Sequence, residues 1–400
     1  MLHAPLPNIV KIIGAPISAQ VSCHVCGRPA LVDLLAYAEV TRVTSDCKPW
    51  PKGGRLAVCQ ECGLVQVPAT AGWRMEIAQI YRDYTIYYQG DGAEQAVFDS
   101  ATGQSFPRST QISRCLRKVW PGPTSGKMLD VGCGNGSFLR RFHEQFPNWQ
   151  LAGSEWDDKY RAQVERLPKV EKHYVGRLSD IPGGFQLISL IHVLEHIENP
   201  AGFLAEAQSH LADEGLLFIE VPHFVDNPFE LLIADHATHF TLESLCRLVE
   251  SAGFELLMLH NEWVPKEISL LARKKNRPSP LRASPHPYED LAAAQHAVEW
   301  LANIHKQAMA LSTQTPCLGL FGTSIAGTWL GGGLANEIAF FVDEDVNRTG
   351  KTHLGKPILS PASVPQDSDV FVGLAPKISS VIARRLTRPG VRYHPVVAIA

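Results

Sequence analysis

The sequence predicts an α/β protein: a doubly wound, mostly parallel sheet, preceded by a small cysteine-bearing unit and followed by a second, smaller α/β unit. Three observations carry this. Between residues 126 and 273, strand-length apolar runs alternate with helix-length stretches. Two Cys-x-x-Cys pairs, Cys23/Cys26 and Cys59/Cys62, stand near the N-terminus. Beyond residue 313 the strand and helix alternation resumes.

The length of 400 residues suits two or three domains rather than one core. Hydrophobic residues at 45% and charged residues at 19% are ordinary globular values, which excludes wholesale disorder. The 37 Lys+Arg against 40 Asp+Glu give a net charge of −3, which does not favour a nucleic acid partner. No stretch approaches the roughly 18 apolar residues of a membrane span, and the N-terminal residues lack a signal-peptide pattern. The expectation is a cytoplasmic protein with no membrane partner. Nine cysteines, an odd number, do not suit a disulfide scaffold.

Residues 1–70 read as a metal-binding unit and 71–125 as a helical bridge with a tyrosine cluster, closed by the turn-rich PGPTSG. In 126–273 the strands are KMLDV, WQLAGS, KHYV, FQLISLI, GLLFIEV, FELLMLH and ISLLAR. The short link NEWVPKE makes the last two an antiparallel pair at the sheet end. Residues 274–312 are a Pro-, Ser- and basic-rich linker followed by one helix over 288–312. In 313–400 the strands are CLGLF, EIAFFV, PILS, DVFVGL and a last run around HPVVAIA.

CHVCG and CQECG each place two thiolates on a tight turn closed by Gly, and two such knuckles complete a tetrahedral site. Four soft ligands suit a structural zinc ion, with His24 and Cys47 as alternative ligands nearby. The run KMLDVGCGNGSFL ends a strand in Asp130, and Gly132, Gly134 and Gly136 then precede a helix. Such glycines permit a sharp turn and close approach of backbone to a ligand. Glu155 ends the next strand, where an acid accepts ribose hydroxyls, and Trp156 beside it offers a face for adenine. His192 stands just outside the fourth strand, at the end where open α/β sheets bind ligands. The stretch 222–240 is dense in His and acidic residues, including the adjacent Asp235 and His236. An Asp-His pair there can act as a base. HVLEH at 192–196 also fits a metalloprotease pattern, but it starts at a strand end rather than in mid-helix.

The loop Asp130-Val131-Gly132-Cys133-Gly134-Asn135-Gly136 with Glu155 resembles class I S-adenosylmethionine (SAM)-dependent methyltransferases. Across the chain, the order of knuckles, CGLVQ at 62–66, SAM-type loop and C-terminal Rossmann-like unit resembles the sugar C-methyltransferases. The resemblance implies a class I methyltransferase-type doubly wound sheet with SAM and structural Zn2+ as cofactors. It also implies a nucleotide-linked sugar as acceptor, methylated at a carbon next to a ketone. A family Glu-His pair is matched by Asp235 and His236, and a further active-site His by His196. A family Tyr is matched by Tyr84, Tyr87 or Tyr88, and Ile233 stands where another Tyr is usual. The family's Gly-Gly-Ser-Arg-like stretch is absent from PKEISLLARK.

Other readings compete: O- or N-methylation of a small molecule, a zinc-ribbon RNA methyltransferase, and a non-enzymatic zinc- and nucleotide-binding scaffold. In the C-terminal unit Gly322 and Gly327 flank a helix start, and Asp343 ends the next strand at a spacing that suits a nucleotide ribose. Thr323 and Ser324 at that helix start are placed for a phosphate. A degenerate unit that merely shapes the acceptor cleft is the alternative.

Overall fold

The structure is a computed structural model and describes residues 21–85, 94, 96–99, 104–275 and 278–397. In the N-terminal unit, β1 (Leu31–Asp33), β4 (Ala57–Cys59) and β5 (Val65–Gln66) pair antiparallel. Beside them β2 (Arg42–Val43) and β3 (Pro49–Trp50) form a hairpin. The fourth strand of the main N-terminal sheet comes from far along the chain: β13 (Thr238–His239) pairs with β5.

Helix α1 (Ala71–Arg82) starts where the Thr70 hydroxyl accepts from the Trp73 amide. The bridge that follows is not wholly helical, contrary to the sequence expectation. A hairpin of β6 (Ala96–Asp99) and β7 (Gln104–Pro107) precedes α2 (Arg108–Val119). The reason lies in the alternation: Val97 and Phe106 face each other across the pair, and Arg114 of α2 sits over the Phe106 ring.

The middle sheet has seven strands: β8 (Lys127–Val131), β9 (Gln150–Glu155), β10 (Val170–Val175), β11 (Phe185–Ile191), β12 (Leu211–Pro222), β14 (Phe254–His260) and β15 (Glu267–Lys274). Their order is β10-β9-β8-β11-β12-β15-β14. Pairings among the first five are parallel, and β15 runs antiparallel to both its neighbours. This is the class I methyltransferase-type sheet that the resemblance implies. Helices α3 (Ser137–Gln145), α4 (Arg161–Val164), α5 (Pro200–His210) and α6 (Leu242–Ser251) cover it. Two of them begin at side-chain caps: Asn199 and Pro200 start α5, and a Thr241/Ser244 capping box starts α6. The strand order reverses between β8 and β11, which opens the crevice beside the glycine loop.

Helix α7 (Pro287–Ser312) leads into the C-terminal sheet: β16 (Leu318–Phe321), β17 (Ile338–Val342), β18 (Thr352–His353), β19 (Lys356–Leu359), β20 (Ser368–Val372) and β21 (Val391–Pro395). Its order is β18-β19-β17-β16-β20-β21, with α8 (Ile325–Gly333) and α9 (Pro376–Leu386) as its helices. The last strand lies earlier than the expected apolar run, because Val391 and Tyr393 are the buried pair and Arg392 bonds Asp369.

The three units share one core. Val43 and Leu56 of the N-terminal unit pack in one buried cluster with Phe229 and Leu232 after β12, Leu301 and Ile304 of α7, and Trp329 of α8. The expected linker is docked: the Ser284 amide donates to the Glu61 carbonyl at 2.7 Å. Among the described residues no helix is long and apolar enough to cross a membrane.

A separate aromatic cluster holds α3 on the sheet: fully buried Phe142 stacks on Phe146 at 4.4 Å and meets Trp149 edge-on at 5.7 Å. Phe142→Ala leaves a cavity there and is expected to lower the unfolding free energy by about 3–5 kcal/mol, measured by urea titration.

Candidate active site

The glycine loop leaves β8 with Gly132, Gly134 and Gly136 all in the left-handed region, at φ of 69°, 52° and 79°. At Gly132 space is also short: a Cβ would lie 2.5 Å from Cγ2 of Val193. The loop is tied to the next strand by the Gly134 amide, which donates to Glu155 Oε1 at 2.7 Å. Burial raises the Glu155 carboxyl above its ordinary value, and the Gly134 and Trp156 amides oppose that. Trp156 is 74% exposed, so its ring is an open face beside the loop.

Asp130 is buried and accepts from Ser189 Oγ at 2.6 Å, which ties β8 to β11. Burial pushes its carboxyl up to about 7. His192 adopts φ of 54° just past β11. Its Nδ1 faces Glu195 Oε1 and its Nε2 faces Glu267 Oε2, each at 3.1 Å, and Arg108 reaches Glu267 at 3.5 Å. Burial works against charge on His192, but Glu267 and Glu195 overcome it and raise the imidazole to about 10. Burial likewise works against the Glu267 charge, yet Arg108 and His192 hold that carboxyl at about 2.

From Phe229 to Phe240 the ionisable stretch after β12 is buried, while Asp226 at its start is exposed. Asp235, His236 and His239 are at most 3% exposed. The expected Asp235–His236 pairing is not what the structure has. Asp235 accepts from the Ser45 amide at 2.8 Å and the Ser45 hydroxyl at 2.5 Å, and its other near neighbour is His196, 3.5 Å away. His236 Nδ1 instead hydrogen-bonds Glu230 Oε1, six residues earlier. Asp235 lies in a turn closed by the His236 amide on the Ile233 carbonyl at 3.3 Å, and Asp235 and His236 serve different partners on either side of it. His239 Nδ1 lies 3.7 Å from the same Glu230 oxygen. The His196 and His236 rings meet edge-on at 4.4 Å. Burial depresses both imidazoles, with His236 adding to the effect on His196 and nearby acids opposing it. Burial pushes Glu230 up to about 7.

Tyr84 is half-buried and meets Tyr81 edge-on at 5.7 Å. Tyr81, which was not singled out in the sequence, reaches the site: its hydroxyl is 3.0 Å from His196 Nδ1. Tyr87 and Tyr88 lie outside the described residues. Sequence reasoning flagged Glu230 and His239 within the ionisable stretch 222–240 without giving them a role, and it missed Tyr81 and Ser45. Of these two, Tyr81 carried a local signal, three residues from Tyr84.

Cys23, Cys26, Cys59 and Cys62 place their sulfurs within 4.8 Å of one another, with Cys23–Cys62 and Cys26–Cys59 at 3.6 Å. A tetrahedron of sulfurs about 2.3 Å from an ion has edges of about 3.8 Å, so the four fit zinc. His24 turns away to Thr238 Oγ1 at 2.8 Å. Cys47 is taken up elsewhere, near Thr328 and Arg348. The sets Glu195/His196/His236 and Glu230/His236/His239 also have ligand-type atoms within 4.8 Å. The direct Glu230–His236 bond already satisfies that pair without an ion.

In the C-terminal unit Gly322 has φ of 86°, and a Cβ on Gly327 would lie 2.0 Å from the Gly322 carbonyl. Asp343 Oδ2 accepts from the Thr323 amide at 3.2 Å and hydroxyl at 2.7 Å. Arg348 Nη1 donates to that hydroxyl at 3.1 Å. Ser324 begins α8 without a side-chain cap.

Residues 107–259 match the methyltransferase domain family. The C-methyltransferase NovU of Streptomyces niveus is 28% identical over 258 residues, 60% of this chain and 57% of that protein. The trans-aconitate 2-methyltransferase of Deinococcus radiodurans is 24% identical over 133 residues, 33% of this chain and 51% of that protein. The chain therefore spans less than two thirds of the length of these relatives. Among solved structures, a SAM-dependent methyltransferase from Mesorhizobium loti aligns at 18% identity and a TM-score of 0.35, over 40% of this chain and 96% of that one. Together with the sheet order and the glycine loop, the family match makes the middle unit a class I, SAM-dependent methyltransferase domain.

Glu155 orders the loop and faces the ligand crevice, so Glu155→Ala is expected to weaken SAM binding about 10- to 100-fold, as loss of a charged hydrogen bond does. Calorimetry checks this; an unchanged affinity removes Glu155 from the site.

Proposed function

We propose that the chain methylates a carbon of a nucleotide-activated keto-deoxysugar, using SAM, by base-assisted enolisation. One observation carries the reading: two edge-on imidazoles, His196 beside Asp235 and His236 bonded to Glu230, meet at 4.4 Å, and His196 lies three residues after Val193, the side chain against the glycine loop. The relative described as a C-methyltransferase supports a carbon acceptor. The four cysteines act as a structural zinc site in this reading, and the setting is cytoplasmic.

SAM, when bound at Gly132–Gly136 and Glu155, supplies an electrophilic methyl group. The chain's residues prepare the nucleophile. Glu230 accepts from His236 Nδ1–H and so leaves Nε2 as the basic nitrogen. Burial keeps His236 neutral near pH 7, the form that accepts a proton. That proton comes from the carbon next to the ketone, and the C–H electron pair passes into the enolate. Tyr81, with Tyr84 against it, offers a hydroxyl to the developing enolate oxygen, and His196 with Asp235 holds Tyr81 in place. The enolate carbon then takes the methyl in line. Arg348, in reach of Thr323 and Asp343, is the cation nearest to hand for the acceptor's diphosphate.

Labelled SAM, a panel of nucleotide-linked 4-keto sugars and deuterated water test this reading. Deuterium at the carbon next to the ketone is expected with methyl incorporation; methylation of a hydroxyl without exchange favours an O-methyltransferase. His236→Ala is expected to slow turnover by about 10²- to 10⁴-fold. An unchanged rate in that variant refutes its role as base.

A further inference from the structure

The segment that carries His236 is not anchored to the methyltransferase sheet alone. It threads the cysteine-bearing unit. The Ala234 amide donates to the Val43 carbonyl at 2.8 Å, and the Val67 amide to the Ala237 carbonyl at 2.9 Å. Trp73 Nε1 donates to the Ala234 carbonyl at 3.1 Å. Thr238 pairs with Gln66, and His239 with Val65.

Two side chains extend this anchoring to the sulfur cluster itself. Gln66 is 1% exposed and spans both structures with its amide group. Its Nε2 donates to Cys23 Sγ at 3.1 Å, and its Oε1 accepts from the His24 amide at 3.0 Å. His24, inside the first knuckle, bonds Thr238 Oγ1 at 2.8 Å through its ring. Thr238 is fully buried and lies two residues from His236. The path from a cysteine ligand to the proposed base is thus two hydrogen-bonded side chains and two residues of backbone.

Groups that bond to metal ligands fix their orientation, and rigid support of that kind is what holds a catalytic group to within a fraction of an ångström. We propose that Gln66 and His24 are positioning residues through which the four-cysteine site, by way of the Thr238–His239 strand, holds the His236-bearing segment in place, so that this site governs proton abstraction and not SAM binding. The proposal rests on the reading of His236 as the base. It separates two functions in space: the glycine loop and Glu155 belong to the middle sheet, whereas the base is placed by the N-terminal unit.

Two near-isosteric variants of the full chain test it. Thr238→Val removes only the hydroxyl that meets His24. Gln66→Glu keeps the acceptor for the His24 amide and removes the donor to Cys23. Three readouts apply to each: zinc content, SAM affinity by calorimetry, and amide hydrogen exchange over residues 234–240 and 132–136. The expected result is one zinc per chain, SAM affinity within about twofold of the parent, and exchange at 234–240 faster by about tenfold with 132–136 unchanged. With an active acceptor from the sugar panel, kcat falls about tenfold while KM for SAM stays. Unchanged exchange at 234–240, or opening of 132–136 to the same extent, overturns the coupling. Loss of the ion from either variant overturns it as well, because these residues would then be supporting the metal and not the base. The exchange readout needs no acceptor, so failure of the sugar panel leaves this test standing and counts only against the proposed substrate.

Discussion

A strand of two residues, Thr238–His239, hydrogen-bonded to Val65–Gln66, is the constraint on which the rest of the site depends. The chain from Phe229 to Phe240 is almost wholly buried, and buried backbone must find partners. Several of its donors and acceptors find them outside the middle unit, at Val43, Val67 and the Trp73 indole, with Ser45 satisfying the Asp235 carboxylate, while the Ala237 amide donates to the Glu195 carbonyl of the middle unit at 2.7 Å. A unit of this size has little core of its own, which is why four cysteines suit it. Its sheet is complete only when the later segment joins. The small unit and the acid-base residues therefore fold as one piece of structure, although more than 160 residues separate them in sequence.

Burying so many ionisable groups is costly unless each is neutral or paired. The cluster uses both solutions. His192 is cationic between Glu195 and Glu267, and Arg108 balances the second of these. Glu220, fully buried beside Glu267, is pushed well above its ordinary range by burial and by that neighbour. On the other side of Glu195, burial favours the neutral forms of His196, His236 and His239. One end of the network holds fixed charge against the sheet, and the other holds neutral imidazoles able to take up a proton. That division follows from the carboxylates: two flank His192, whereas Glu230 is shared between His236 and His239.

The middle sheet was legible in the sequence because its signals are local. A parallel strand buried on both faces reads as a continuous apolar run, and FQLISLI is found as Phe185–Ile191. The glycine loop and the cysteine knuckles are likewise short-range patterns, and their residues converge as their spacing implies. The strand pair before α2 was not legible, since two four-residue strands give too short an alternation to outweigh helical patterning nearby. The partners of His236 were misread for another reason. Adjacency in sequence suggested Asp235, but the two residues sit at a turn, closed by the His236 amide on the Ile233 carbonyl, and their side chains go to different partners. Asp235 therefore meets Ser45 and His196, and the carboxylate for His236 arrives from a 3-10 turn six residues earlier. Nothing in a single sequence marks Ser45 or Gln66 as neighbours of that stretch, because their contacts arise from a strand added across the units.

The two α/β units use the same local device with different results. In each, an acid at the end of the second strand accepts from an amide of the glycine loop: Glu155 from Gly134, and Asp343 from Thr323. In the middle unit the acid has no cation of its own close by in the loop, and the exposed Trp156 leaves the crevice open. In the C-terminal unit the Thr323 hydroxyl and Arg348 close over Asp343, so the carboxylate that would take a ribose is already engaged. A group that binds at either acid must compete with what is already there: at Glu155 with the Gly134 amide, and at Asp343 with an amide, a hydroxyl and a guanidinium that Asp345 also holds.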